Sequence, residues 1–474
     1  FLGRLDAACA PGTLRGMSDP KYLESPPHLS TMPPGIPYIV GNEAAERFSF
    51  YGMKTILFVF MTTYLASSAG QEAHLTSTEA REAIAWFVAS AYFFPIIGAI
   101  VADAVLGKYR TILLLSSVYC VGHLFMAFID LPPAMLEATL QPKGWMIAGL
   151  LLIAIGSGGI KPCVSAHVGD QFGPENKHLI TKVFGWFYFA INFGSFFSTL
   201  LTPWTLSHYG PGWAFGIPGI LMALATVAFW MGRKVFVHIP PAGWGYVRQT
   251  FTGDGLKTIL KLLPIYAFVA IFWSLYDQSA SAWVDQAGHM DRVLFGIEVL
   301  PSQIQALNPL LILLFIPLFT YVIYPSANKV WTLSPLRKVM IGFFLTVLAF
   351  GLSGVYEQWI TDGMTPSILW QVLAYVVLTA AEVMVSITCL EFSYTQAPKQ
   401  MKSFIMSLYL LSVSAGNVIT ALVNNLTKDE AGNSTLVGAN YYWFFTALML
   451  VAAVGFIFVG RLYVEEEHIQ GDEG

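Results

Sequence analysis

Between Glu43 and Lys54 the chain sets four charged side chains into an apolar and aromatic stretch, Glu43-Ala44-Ala45-Glu46-Arg47-Phe48-Ser49-Phe50-Tyr51-Gly52-Met53-Lys54. At about 100° per residue on a helix, Glu43, Glu46, Arg47, Phe50 and Lys54 share one face roughly 100° wide, with Tyr51 at its edge. A charge at mid-bilayer costs about 2.5–3.5 kcal/mol on insertion scales, so such a stripe must face the protein interior or a water-filled cavity. A purely structural ion-pair cluster is replaceable by apolar packing at lower cost. The stripe therefore reads as chemistry. Carboxylates beside fixed cations change their affinity for a proton when a charged ligand arrives, which is the basis for coupling a proton to a solute.

Further polar groups sit inside apolar stretches. Gly156-Ser157-Gly158-Gly159-Ile160-Lys161-Pro162 combines glycines that permit close helix approach with a lone lysine. Lys161 needs an acidic partner or an anionic ligand. Trp273 and Asp277 are four apart and share a helix face, and Glu382 lies within Ala380-Ala381-Glu382-Val383-Met384. Asn192 and Asn308 fit equally as interhelical hydrogen-bond glue or as site residues. The cations Arg47, Lys54 and Lys161 fall in the first half of the chain, and the acids Asp277 and Glu382 in the second. A cavity between halves would have a positive and a negative wall, which suits a zwitterion with separated ammonium and carboxylate groups.

The elements that position these groups follow from composition. Of 474 residues 55% are hydrophobic, 15% aromatic and 11% charged. A soluble domain carries roughly 25% charged residues, so the bilayer is the natural solvent here. Stretches long enough to span occur near 38–66, 84–106, 110–130, 145–166, 182–204, 213–232, 259–284, 303–325, 337–357, 367–392, 402–424 and 440–463. The longest polar break, 233–258, holds His238-Ile239-Pro240-Pro241 and Gly253-Asp254-Gly255, which interrupt helices. It divides an all-α membrane protein into a bundle at 36–232 and a bundle at 259–464. Twelve transmembrane helices in two six-helix bundles is the layout of the major facilitator fold, with substrate held between the halves near the midplane. Asp103-Ala-Val-Leu-Gly107-Lys108-Tyr109-Arg110 resembles the acidic–glycine–basic signature of that superfamily and reads as a helix-end clamp. Lys and Arg divide fifteen to four between the two sets of loops, which predicts that both termini are cytoplasmic.

Other classes are disfavoured. A net charge of −4 without a basic stripe argues against nucleic acid as a partner. Cys120, Cys163 and Cys389 fall in or beside spans without metal or redox spacing and read as small buried residues; Cys9 lies in the first segment. His123 and His167 are isolated, and no nucleophile–base pair or metal spacing supports an enzyme. No cofactor is expected. Residues 1–35 lack an apolar run and read as a disordered terminus, with Met17 a candidate start that would leave 1–16 extraneous. Residues 465–474 form an acidic tail. Two sequons, Asn425-Leu426-Thr427 and Asn433-Ser434-Thr435, fall in a loop expected to face outward.

Four motifs, three of them long, carry a family resemblance. Glu43-Ala-Ala-Glu46-Arg47-Phe48 resembles the E-x-x-E-R-F motif of the proton-dependent oligopeptide transporter family. Gly156 to Ser165 with Asp170-Gln171-Phe172 is similar to its span-four signature, and Phe187-Tyr188-Phe-Ala-Ile-Asn192-Phe-Gly194-Ser195 to its span-five signature. Glu382-Val-Met-Val-Ser through Glu391-Phe-Ser-Tyr394-Thr-Gln-Ala-Pro398 resembles span ten and the following loop. The likeness runs from about residue 40 to 460.

The resemblance implies a proton-coupled symporter importing di- and tripeptides by alternating access, working as a monomer in the cell membrane with protons as co-substrate. It implies proton coupling by Glu43, Glu46, Arg47, Lys161 and Asp277, with Lys161 alternating between Asp277 and the peptide carboxylate. Arg47 and Lys54 would help hold that carboxylate, and Glu382 with Asn192 and Asn308 the amino group. Tyr51, Tyr92, Trp273 and Tyr409 would line the pocket. Departures at Phe50 where Tyr is usual, Lys54 where Arg supplies a fork and Tyr409 where Trp is common are expected to shift preference, and Ala85, where animal members place a functional His, implies that proton entry does not follow that route. The linker is too short for the two extra helices of many bacterial members, and the loop between spans nine and ten lacks the large outer domain of animal members. The alternative is a superfamily member carrying another small solute, such as an amino-acid-like compound or nitrate.

Overall fold

A computed structural model of the protein describes residues 22–65, 74–130, 142–241, 243–245, 252, 254–294, 296–396, 402–430 and 432–463. Cys9, Met17, Arg248, Lys399 and the tail 465–474 lie outside the described residues. In hydrocarbon every backbone N–H and C=O must be satisfied internally, so apolar stretches of this length become helices. Ten described helices are long and apolar enough to cross a membrane. One of them, Ile180–Met231, is two spans: Gly210 adopts φ 81° and ψ 176°, a region open to glycine, and Pro211 follows, so the chain turns. The first span, Ile36–Val59, has 24 residues and the length to cross, but its charges keep it out of any purely apolar tally. Twelve membrane-length helical arms result, the all-α arrangement of the major facilitator fold.

The apolar side chains gather into two cores. One draws on residues from Ile36 to Phe236, joined by Val284, and the other on residues from Leu262 to Phe456. Within the first, span three (Lys108–Ala127) packs closely on span four (Pro142–Asp170) because glycine leaves room. A Cβ on Gly156 would sit 2.6 Å from the Tyr119 Cβ and 2.7 Å from the Leu115 carbonyl oxygen. The Gly107 turn, at φ 77°, delivers Lys108 to the end of span four, where its Nζ lies 2.8 Å from Asp170 Oδ2. That is the clamp expected of the signature.

The halves are tied at the end remote from residues 22–35. Span two (Ser77–Val101) packs along span eleven (Lys402–Leu426). Ser414 donates to the Ala89 carbonyl at 2.7 Å, Arg81 pairs with Asp285, and Lys428 pairs with Glu82 at 2.8 Å. Gln303 donates to the Leu200 carbonyl at 2.9 Å and Thr76 to the Gly432 carbonyl at 2.5 Å. Arg81 also lies over the Tyr441 ring at 4.6 Å.

Four local features differ from expectation. Span seven begins at Asp254 rather than 259 and runs as helix to Tyr276, then tightens into a 3-10 turn at Asp277–Ala280 and breaks at Ser281 (φ −137°, ψ −79°). Span ten is α-helical over Ile368–Glu382 and widens into a π-helical turn, Val383–Ile387, directly after Glu382. Cys120 is half-buried, whereas Cys163 and Cys389 are buried.

The fourth lies in the stretch expected to be disordered, of which residues 22–35 are held against the bundle end. Leu23 bridges to Val237, its carbonyl accepting from the His238 N–H at 2.7 Å, and the Asn176 amide donates to the Thr31 carbonyl at 3.1 Å. Tyr22 stacks on the His238 ring at 4.4 Å and Tyr109 meets it edge-on at 4.6 Å. Burial holds the His238 pKa below its ordinary 6.5. The docked imidazole therefore binds a proton less readily than the free one. Its contribution to docking is complete above about pH 6.5 and is lost as pH falls through the lowered value. Hydrogen exchange over 22–31, corrected for intrinsic rate, is expected to quicken from pH 7.5 to pH 5. The His238→Phe variant should remove that dependence, and equal acceleration in both would refute the assignment.

Candidate functional site

Pro37 in the first turn of span one costs no hydrogen bond, since the opening N–H groups have no helical acceptor. One turn further in, the charged stripe begins. Arg47 Nε donates to Glu43 Oε1 at 2.7 Å and lies 3.3 Å from Glu46 Oε2. Ser157 of span four donates to the other Glu46 oxygen at 2.8 Å. Both carboxylates are almost fully buried, so bulk water does not solvate their charge. Two carboxylates around one guanidinium carry a formal charge of −1 when ionised, and one proton makes the cluster neutral.

Lys54, two turns on, reaches across to the other half. Its Nζ lies 2.6 Å from Asp277 Oδ1, and Asn417 of span eleven donates to Asp277 Oδ2 at 2.8 Å. The 3-10 turn in span seven begins at Asp277. Lys54 is 13% and Asp277 8% exposed, so the pair is largely desolvated. Removing one partner of such a pair costs about 3–5 kcal/mol, because the other charge is left buried alone. Lys54→Met and Asp277→Met are each expected to lower the melting temperature in detergent, and the double variant to recover most of the loss. Additive losses would show that the two charges do not act as a pair.

Lys161 is not bonded to Asp277 in this conformation. Its ammonium is buried without a hydrogen-bond partner, between the Phe50 ring at 4.2 Å and the Tyr92 ring at 4.1 Å. Phe50, the departure from the usual Tyr, thus supplies a π face rather than a hydroxyl.

On the facing half, the Asn308 amide donates to Glu382 Oε2 at 2.6 Å and lies 3.3 Å from the Thr379 hydroxyl. The π-turn that follows Glu382 is a break of the kind often found at functional sites. Tyr51 stands between the two walls, within range of the charges on Arg47, Glu382, Glu46 and Asp277. Trp273 is buried with its indole N–H unpaired, and the Tyr276 ring meets it edge-on at 5.2 Å.

Two expected residues hydrogen-bond outside the charged groups of the site in this conformation. The Asn192 amide donates to the Tyr188 carbonyl at 2.9 Å in its own helix, and the Tyr409 hydroxyl lies 3.1 Å from the Ser386 hydroxyl. Ser157 and Asn417 were not among the expected site residues, and each bonds a carboxylate of the site. The run of small and polar side chains from Ser412 to Asn417 on span eleven is the signal that could have found Asn417. Among the described residues no group of His, Cys, Asp and Glu side chains could hold a metal ion.

Comparison with known proteins gives a consistent likeness. The POT family model matches residues 109–252 and 244–444. Peptide transporter family 1 of Drosophila melanogaster is 37% identical over 366 residues, which cover 69% of this chain and 48% of that protein. Solute carrier family 15 member 2 of Rattus norvegicus is 37% identical over 419 residues, covering 79% of this chain and 56% of the relative. The crystal structure of the POT family transporter PepTSo superposes with a TM-score of 0.82 at 37% identity, covering 91% of this chain and 99% of that one. The chain spans about half the length of the curated relatives it matches.

Proposed function

Because this chain belongs to the POT family, we propose that it is a proton-coupled symporter that imports di- and tripeptides by alternating access. The observation that carries this reading is the opposition of charge across the site. On one side is a buried ammonium, Lys161, without a hydrogen-bond or ion-pair partner among the described residues. On the other is a half-buried carboxylate, Glu382, served by the neutral donor Asn308. A peptide with a free carboxylate and a free ammonium group completes both.

The coupling has a definite sign. A peptide carboxylate docking at Lys161, with Arg47 and Lys54 in support, brings negative charge towards the Glu43–Arg47–Glu46 cluster. That cluster already carries −1, so taking up one proton there offsets the repulsion. Peptide binding and protonation then favour one another, and the coupling is reciprocal. Asp277 takes part by holding Lys54. When the halves separate at that end, the pair opens and frees Lys54. Tyr51, Tyr92, Trp273, Asn192 and Tyr409 are assigned to the pocket wall.

The two bundles are assigned to 36–232 and, from the corrected start of span seven, to 254–464, joined by a cytoplasmic linker at 233–253. The excess of Lys and Arg on one side supports cytoplasmic termini, including an acidic tail at 465–474, in the cell membrane. A site built from one chain supports a functional monomer, with protons the only co-substrate.

The test is uptake of labelled dialanine into liposomes bearing the full chain. Accumulation above the external concentration is expected with an inward proton gradient and not without one. Unlabelled dialanine should compete and nitrate should not. Uptake indifferent to the gradient, or blocked by nitrate, would overturn the reading.

A further inference from the structure

A crevice separate from the site lies on the membrane-facing side of spans two and four, at the end where the halves are tied. Its volume is about 430 Å³, within the range of small-molecule sites. It is lined on span two from Glu79 to Ser90 and on span four from Lys143 to Ala154. Both walls descend from the same end. At 1.5 Å rise per residue each is about 17 Å long, close to half of the ~30 Å hydrocarbon thickness. The crevice therefore has the depth of one leaflet.

Its chemistry is divided along that depth. The mouth carries Glu79, Glu82, Lys143 and Lys428, two charges of each sign, and the walls below carry Trp86, Ile147 and Leu151, all exposed. Glu82 and Lys428 hold one another at 2.8 Å, and Glu79 commits one oxygen to capping span two through the Thr76 N–H at 3.0 Å. Lys143 is exposed, with no hydrogen bond or ion pair to the described residues. A balanced, charged rim above an apolar slot of leaflet depth matches an amphiphile with both signs in its headgroup.

We propose that this crevice is a binding site for a zwitterionic glycerophospholipid of the leaflet at that end. Lys143 meets the phosphate, Glu79 faces the ammonium group while Glu82 stays committed to Lys428 and to the Asn425 amide at 2.9 Å, and one acyl chain runs down beside Trp86 and Leu151. The site rests on membrane embedding and on this geometry, and is independent of what the protein transports.

The test is photolabelling of the full chain in phosphatidylcholine liposomes holding a trace of phosphatidylethanolamine with a diazirine on its acyl chain. Adducts mapped by mass spectrometry should concentrate on 79–90 and 143–154, in excess of the membrane-exposed residues of 220–231. Ile147→Trp with Leu151→Trp, which fills the slot from the lipid side, should remove that excess while leaving labelling of 220–231 as a fold control. Lys143→Ala should weaken the excess about tenfold, the loss of one charge-assisted contact. A diazirine diacylglycerol, lacking the headgroup, should show no excess. Even labelling around the bundle, an excess that survives the filled slot or Lys143→Ala, or equal labelling by diacylglycerol or by an anionic phosphatidylglycerol probe would each overturn the proposal.

Discussion

With Glu43→Gln and Glu46→Gln together, gradient-driven accumulation of a labelled dipeptide is expected to fall to the equilibrium level while counterflow exchange persists. The parent cluster holds Arg47 between two carboxylates at 2.7 and 3.3 Å, and its net charge changes from −1 to 0 when one proton binds. Glutamine keeps the shape and an acceptor oxygen for Arg47 and for Ser157, but it takes up no proton in the working range. The double variant leaves Arg47 as a buried cation without a counter-ion, so its melting temperature should drop. Peptide carboxylate should relieve part of that drop, because it brings a negative charge to the same cavity. Counterflow moves peptide against peptide and needs no net proton, so it survives if the helices still move. Glu46→Gln alone keeps Glu43 paired with Arg47 and separates loss of the proton site from loss of the ion pair. Accumulation that continued unchanged in the double variant would remove the cluster from the coupling mechanism.

How far the sequence carried these conclusions depends on whether a feature is local to one span. The stripe in span one was legible because helical periodicity alone puts Glu43, Glu46, Arg47 and Lys54 on one face. The number of spans was legible too, since Gly210-Pro211 marks the turn inside Ile180–Met231. Partner choice was not. Whether Asp277 meets Lys54 or Lys161 depends on the relative position of spans one, four and seven, and no pattern within a span encodes that. The turns at Asp277 and after Glu382 were also hidden, because neither Pro nor Gly occupies Asp277–Ala280 or Val383–Ile387. Ser157 and Asn417 are neutral residues that apolar spans tolerate, so they gave no alarm until a carboxylate oxygen was found beside each. Phe50 was noticed as a lost hydroxyl. What it supplies, a ring against an ammonium, appears only when span four is packed against span one.

That ring contact leads to a variant expected to move stability and transport in opposite directions. Lys161→Met should melt higher than the parent and bind peptide more weakly. The parent holds the Lys161 ammonium in a buried position against the Phe50 and Tyr92 faces, without a hydrogen-bond partner among the described residues. Cation–π contact returns about 0.5–2 kcal/mol, against a desolvation cost of several kcal/mol for a buried ion. Methionine fills the same volume without that cost. Binding should suffer because a hydrogen bond to a charged group is worth about 1.5–3 kcal/mol, or about 10- to 150-fold in affinity. Specificity gives the sharper reading. The parent should prefer a dipeptide with a free carboxylate to the same dipeptide with a C-terminal amide, and Lys161→Met should bind both about equally. Competition against labelled dialanine in liposomes, with melting in detergent alongside, measures both. A variant that melts lower would mean the ammonium has an anion in the resting protein. One that still prefers the free acid would assign the carboxylate to Arg47 and Lys54 instead. On the proposed function, the unpaired ammonium is a stability cost carried by the empty site, and a peptide carboxylate would remove it.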